Sequence, residues 1–288
     1  MSSKVAVGDE RAAAATTVKG IVGTTSNATS AESTTVKSVT ETVFYDVNNL
    51  REGPATQMVQ EFVKNNDKCA ECSHSPVSWI STSLGCSLCE ECATAHRQLG
   101  WAVSKLKNIA LDEFYEWQMK HVIEELGNNA VNSIWEIAIP QGWKKPTPSS
   151  SMEDKTNYII GKYKWFGFVD EFSADEKELN EGISNASMAG NVPQIMWWMS
   201  HKADVNSKKD GRHGRTCLHE AVDQGHVSTV AFLIMNGADL YIKDDRGQTA
   251  LELAQNIFEK GGGSNNKIDK DQYRIITNIL LAIQRGDY

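Results

Sequence analysis

Four cysteines, Cys69, Cys72, Cys89 and Cys92, stand as two C-x-x-C pairs with sixteen residues between the pairs. Two thiolates two residues apart can grip one metal ion from a single tight turn. A second pair brought back by a short fold-over completes a closed tetrahedral Zn²⁺ site, so one structural ion is expected. A closed site keeps no position for water or substrate, so the ion holds the loop and the chemistry has to come from elsewhere. Its loss is expected to unfold the loop. Five of the six cysteines fall between residues 69 and 92, while Cys217 lies far away. A secreted disulfide framework would spread its cysteines along the chain, so the clustering favours a metal. Cys86 reads as a small buried hydrophobe rather than a ligand. His74 and His96 read as surface or supporting groups, because four cysteines already satisfy zinc. In the intervening loop Pro76 fixes a turn, and Trp79 and Leu84 can pack over the cluster.

With 288 residues and 40% apolar content, the chain has room for two compact domains and a tail. Its net charge of −8 leaves no electrostatic case for a broad nucleic-acid-binding surface. A GATA-like DNA-binding finger has almost the same cysteine spacing but needs a basic tail. This chain continues instead with Asp112, Glu113, Glu116, Glu124 and Glu125. No apolar run approaches the roughly 20 residues that span a bilayer, and no apolar signal core opens the chain. The expected location is cytoplasmic, in a reducing compartment. Peripheral attachment to endosomal, Golgi or plasma membranes stays open, as does a local basic strip of Arg97, Lys105 and Lys107 facing anionic lipid.

Residues 1–50 are rich in Ser and Thr and poor in aromatics, which predicts a disordered tail. Met58, Val59, Phe62 and Val63 have helical spacing and lead into the first cysteine pair. Leu111, Phe114, Trp117, Met119, Val122, Ile123 and Leu126 predict a second helix closed by Gly127. Val131, Ile134, Trp135 and Ile137 predict a third. A Lys/Pro/Ser linker over 144–151 precedes a helix containing Tyr158, Ile159, Ile160 and Tyr163. In the last third, Gly214-Arg215-Thr216-Cys217-Leu218-His219-Glu220-Ala221 recurs thirty-three residues later as Gly247-Gln248-Thr249-Ala250-Leu251-Glu252-Leu253-Ala254. This is the ankyrin pattern, in which threonine and histidine stiffen the first turn, alanine permits close packing and glycine ends the first helix. Ala186, Gly190-Asn191 and Ala203-Asp204-Val205 match it upstream, with two extra residues in the loop 208–213. About three repeats are expected over 178–288, the third interrupted by GGGSNNK at 261–267 and closed by a helix bearing Ile275, Ile276, Ile279, Leu280 and Ile283. Trp197 and Trp198 are expected to pack against the stack or the metal domain rather than face a partner.

The segment around the cysteines also resembles the zinc finger of ArfGAP domains, the activators of Arf-family small GTPases. The resemblance extends over about residues 58–172 through ELGNNAVNSIWE, KKP and NYIIGKY. It implies an α+β zinc-finger domain over 55–172, mostly helical with a small sheet, followed here by an α-helical ankyrin solenoid. The closest architecture is that of centaurin-type members, although the phosphoinositide-binding PH domain they usually carry ahead of the finger has no counterpart here. In the family the arginine five residues past the fourth ligand is the catalytic finger, and Arg97 stands there in HRQLG. Asp112 matches an aspartate that orients the arginine or its loop, and Trp79 matches an aromatic supporting the GTPase-facing surface. Lys107 stands where an arginine is usual. Thr94 replaces glycine, Ala95 replaces isoleucine and Ser83-Leu84-Gly85 replaces N-L-G, each expected at the GTPase contact face. The implied partners are an Arf-family GTPase and an unknown protein on the repeats. The implied role is a regulator of GTP hydrolysis rather than a stand-alone enzyme. The alternative is an ArfGAP-like ankyrin scaffold that is catalytically weak or inactive.

Overall fold

The computed structural model describes residues 55–209, 211, 213–260 and 269–286. The expected tail over 1–50, the interruption at 261–267 and part of the 208–213 loop lie outside these residues. Among the described residues the chain is mostly helical with one small sheet.

Helix α1, Thr56–Asn65, buries Val59, Phe62 and Val63 along one face, as their spacing predicts. Strands β1 (Trp79–Ser81) and β2 (Cys86–Leu88) form an antiparallel hairpin, and β3 (Leu106–Asn108) pairs antiparallel with the other edge of β1. Gly85 makes the hairpin turn at φ +77°, and an added Cβ there would meet Leu126 Cδ1 at 2.6 Å, so both backbone and space require glycine. Helix α2, Glu90–Arg97, follows β2 directly with Cys89 at its N-cap and two glutamates in its first turn, where the helix dipole favours negative charge.

The predicted helix over Leu111–Leu126 forms only as α3, Glu116–Glu125. Asn108 Oδ1 accepts the amides of Ala110 and Leu111, and Asp112 Oδ2 accepts the Asn108 amide at 2.6 Å. These local bonds outcompete a first helical turn, and Leu111 is left exposed. Gly127 does not close α3 either. It opens α4, Asn128–Trp135, at φ +120°, with its amide bonded to Gly85 O. Ile137 lies past the end of α4 and is exposed. Helix α5, Met152–Tyr163, is N-capped by Ser151 and packs on α2.

Three further helix pairs follow: α6 (Glu176–Ala189) with α7 (Val192–Ser200), α8 (Cys217–Gln224) with α9 (Val227–Met235), and α10 (Ala250–Lys260) with α11 (Lys270–Arg285). Helices α6 and α8 end on Gly190 and Gly225, both left-handed C-caps. Thr216 and His219 form a reciprocal cap at the start of α8, and the far ring nitrogen of His219 donates to Gln248 O at 3.0 Å, tying this turn to the next. Ala221 is fully buried. Trp198 lies against Gly182, where an added Cβ would sit 2.2 Å from the indole. Trp197 and Trp198 share an aromatic cluster with Phe172 and His201, so these tryptophans pack within the fold.

Helix α3 packs along α9 and α4 along α7, joining the metal-side helices to the later pairs. At this seam the buried His121 ring meets Phe232 edge-on at 5.6 Å. Lys105 Nζ donates to Met235 O and Asn236 Nδ2 to Ser83 O.

Candidate metal centre and exposed arginine

The four predicted cysteines converge. Their Sγ atoms all lie within 4.8 Å of one another, all four residues are buried, and none is in a disulfide. Cys89 and Cys92 come from the first turn of α2, three residues apart and hence on one face. Cys69 and Cys72 come from the turn before β1, held to β2 by Ala70 N donating to Ser87 O. A tetrahedral thiolate site with metal–sulfur bonds of about 2.3 Å needs sulfurs just under 4 Å apart. Cys72 and Cys89 Sγ stand 3.6 Å apart, so the cluster fits one ion without rearrangement. The Cys72 thiol is held well below its ordinary pKa by hydrogen bonds from Cys69, then Cys89 and Cys92. Burial pushes the Cys86 thiol up instead, as befits a core residue.

Around this centre lies a buried polar frame that the pattern of cysteines does not disclose. Glu71, between the first two cysteines, is fully buried and receives Lys162 Nζ at 3.0 Å and Tyr163 Oη at 2.9 Å. Lys162 also reaches Asn132 Oδ1 and Glu136 Oε1 at 2.7 and 2.8 Å. Burial alone would raise the Glu71 pKa, but the Lys162 and His96 charges overcome it and hold the carboxyl down at about 2. Asn128 receives the Ser87 amide and donates to Lys68 O, while Asn132 Nδ2 donates to Ala70 O, so α4 clamps the first cysteine turn. His96 is buried against Tyr163 with Nδ1 3.0 Å from Ser104 Oγ, a supporting group and not a ligand.

Arg97 ends α2 with its side chain 46% exposed, enough for a partner to reach it. Its guanidinium lies over Trp79, with Cζ 4.6 Å from the ring centroid. Trp79 opens β1, so the metal-bound helix and the sheet edge together place the arginine. Such a stack contributes about 0.5–1 kcal/mol at an exposed site and keeps the planar fork in a defined orientation.

Residues 55–171 match the ArfGap family model, described as "Putative GTPase activating protein for Arf", and residues 200–254 match a model described as "Ankyrin repeats (many copies)". The chain carries an ArfGap domain followed by ankyrin repeats. Among similar proteins, ARF GTPase-activating protein GIT2 of Homo sapiens is 29% identical over 208 residues, covering 67% of this chain and 27% of that protein. Arf-GAP with coiled-coil, ANK repeat and PH domain-containing protein 2 of Mus musculus is 27% identical over 288 residues, covering 74% of this chain and 37% of that protein. The chain thus spans well under half the length of these relatives.

Within the ArfGap domain the structure brings Arg97 and Trp79 together but separates the other predicted site residues from them. Asp112 bonds the Asn108 amide and orders the loop after β3. Lys107 turns inward, its ammonium donating to Glu113 O at 2.7 Å and Gln118 Oε1 at 2.9 Å beside Phe114 and Tyr115. With Lys105 bonded to Met235 O, the basic strip expected from Arg97, Lys105 and Lys107 is not a row of free charges. Ala95 is fully buried, so its small side chain changes core packing rather than the exposed face. Ser83 and Leu84 are buried too, with Ser83 O at the seam to Asn236. Thr94 is exposed and, with Glu90, touches the arginine, a contact that spacing on one helix face could have suggested. Among the described residues no helix is long and apolar enough to cross a membrane.

Proposed function

We propose that this chain is a GTPase-activating protein for an Arf-family small GTPase, with Arg97 as an arginine finger on a Zn²⁺-stabilised domain and an ankyrin solenoid that binds a protein partner. The observation that carries it is the exposed guanidinium of Arg97 on Trp79, placed by a helix whose first turn supplies two of the four cysteines. In phosphoryl transfer the protein contributes positioning and charge. A guanidinium inserted in trans stabilises the developing negative charge on the transferring group and is worth about 10³ to 10⁵ in rate. Arg97 is suited to this because it is planar, stays protonated and offers paired donors to phosphoryl oxygens.

The soft, closed donor set of four thiolates suits Zn²⁺, which when bound supplies structural stability and no reactive position. Cys69, Cys72, Cys89 and Cys92 would hold it. In that arrangement the ion fixes the start of α2, the stack on Trp79 orients its end, and Glu71 with Lys162 keeps the first cysteine turn dry and in place. The repeated pairs α6/α7, α8/α9 and α10/α11, with their alternating caps at Gly190 and Gly225 and the His219 link, support the solenoid reading. Its partner, with any recruitment to a cytoplasmic membrane face, would determine which GTPase the finger meets.

Replacing Arg97 by Lys keeps the charge and removes the planar fork. On purified GTP-loaded Arf-family GTPases, the variant is expected to lose at least about a hundredfold in stimulated hydrolysis with little change in the concentration giving half-maximal effect. Full stimulation by Arg97→Lys would sink the finger assignment. A second reading, a scaffold that binds GTP-loaded Arf without speeding hydrolysis, is favoured by one observation: Lys107 spends its ammonium inside the protein rather than on the contact face. Binding without turnover by the wild-type chain would select it.

A further inference from the structure

The guanidinium of Arg97 is not free in solvent. Nη1 donates to Thr94 Oγ1 at 3.0 Å, and Nη2 lies 3.9 Å from Glu90 Oε1. Thr94 and Glu90 precede Arg97 by three and seven residues and so share its face of α2. The Thr94 hydroxyl gives its hydrogen to Glu90 O at 3.0 Å, which leaves its lone pairs turned to the arginine. Glu90 uses its other carboxylate oxygen, Oε2, to accept Trp79 Nε1, which fixes the carboxylate between indole and guanidinium. The arginine is therefore folded back along its own helix toward the cysteine end, bonded on one nitrogen and facing a counter-charge on another. A fork engaged in this way cannot offer both donors to a phosphoryl group.

We propose that Thr94 and Glu90 are positioning residues that hold Arg97 in a resting pose against Trp79, from which it must be drawn out before it can reach a bound nucleotide. The effect on rate rests on the arginine-finger reading, whereas the hold is a property of the free protein. Exposed contacts of this kind are individually weak, so the resting pose is shallow. It lowers the fraction of molecules with a free finger rather than abolishing it, and only that fraction is competent.

The test uses the full chain as wild type, Glu90→Gln, Thr94→Ala and Thr94→Ser. Glu90 and Thr94 are exposed, so folding is not at stake. Nitrogen-15 relaxation of the Arg97 Nε–H group, assigned from its disappearance in Arg97→Lys, reports the hold without any GTPase. The order parameter is expected to be high in wild type and Thr94→Ser and to fall in Glu90→Gln and Thr94→Ala. Equal values in all four would overturn the proposal. Single-turnover hydrolysis by a GTP-loaded Arf-family GTPase at saturating activator then reads the consequence. Glu90→Gln and Thr94→Ala should raise the limiting rate about two- to fivefold with the half-saturating concentration unchanged, and Thr94→Ser should behave as wild type. A rate that is unchanged or lower would mean that these contacts do not withhold the finger, and would also overturn the proposal. If wild type itself stimulates nothing, the activator reading fails while the relaxation measurement still decides the hold.

Discussion

At the scale of single residues, the features that matter most are buried charges held by partners. Glu71 and Lys162 are both fully buried, so each is tolerable only because the other, with Glu136, Asn132 and Tyr163, completes it. Lys162→Met would leave two carboxylates uncompensated beside the cysteine cluster and is expected to cost about 3–5 kcal/mol, read by urea unfolding. A loss below about 1 kcal/mol would show that the frame does not support the fold. His121 behaves differently. Burial lowers its pKa to about 4, opposed by the hydrogen bond to Thr82 O at 2.8 Å and by the Glu124 charge. Its folded pKa lies below the usual imidazole value near 6.5, so the unfolded chain binds the proton first. The stability His121 contributes is complete above about pH 6.5 and is lost as pH falls toward 4, by about 3 kcal/mol at most. His219, also lowered chiefly by burial, acts in the same direction. Urea midpoints for wild type and His121→Gln between pH 7 and 4.5 should converge as the pH drops; parallel curves would exclude His121 as the cause. The sequence showed these residues only as letters. Glu71 in CAEC and Lys162 in GKY lie ninety-one positions apart, and nothing in their spacing pairs them.

At the scale of elements, legibility followed the kind of signal. The cysteine spacing located the metal turn, and the apolar period located α1, α4 and α5, because burial of one face decides those helices. The start of α3 escaped, because Asn108 and Asp112 capture the amides that a first turn would need, and an apolar period carries no information about that competition. Gly127 was visible as punctuation, but whether glycine ends one helix or opens the next depends on its partner across the fold, here Gly85 O. The threonine, histidine and glycine of the repeats were readable because each acts within its own turn. The inward turn of Lys107 was not, since it depends on the loop over 113–118. Metal is expected to govern the same elements. Stripping the protein with a chelator should raise amide hydrogen exchange across Cys69–Arg97 and at α5, which packs on α2, while α10 and α11 keep their protection. Uniform protection with and without chelator would contradict a structural ion. Gly182→Ala tests the α6–α7 pair, because its Cβ would collide with the Trp198 indole and is expected to cost about 1–3 kcal/mol.

At the scale of the whole molecule, the seam between α3 and α9 joins the ArfGap domain to the repeats. His121 and Phe232 are buried there, and Lys105, Ser83 and Asn236 add hydrogen bonds to backbone across it. An arrangement of this kind presents the arginine and the partner-binding helices as one body, so that recruitment through the repeats would also orient the finger. Phe232→Ala is expected to cost about 3–5 kcal/mol and to broaden or split a single thermal transition into two. A variant that lost that stability without decoupling would show the seam to be ordinary core. The central claim concerns Arg97, and single-turnover GTP hydrolysis across a panel of Arf-family GTPases on lipid vesicles, with zinc-loaded wild type beside Arg97→Ala, tests it most directly. Stimulation by wild type that falls about 10³-fold or more in Arg97→Ala is the expected result. Equal stimulation by both proteins, or none by a folded wild type on any of the GTPases, would contradict it.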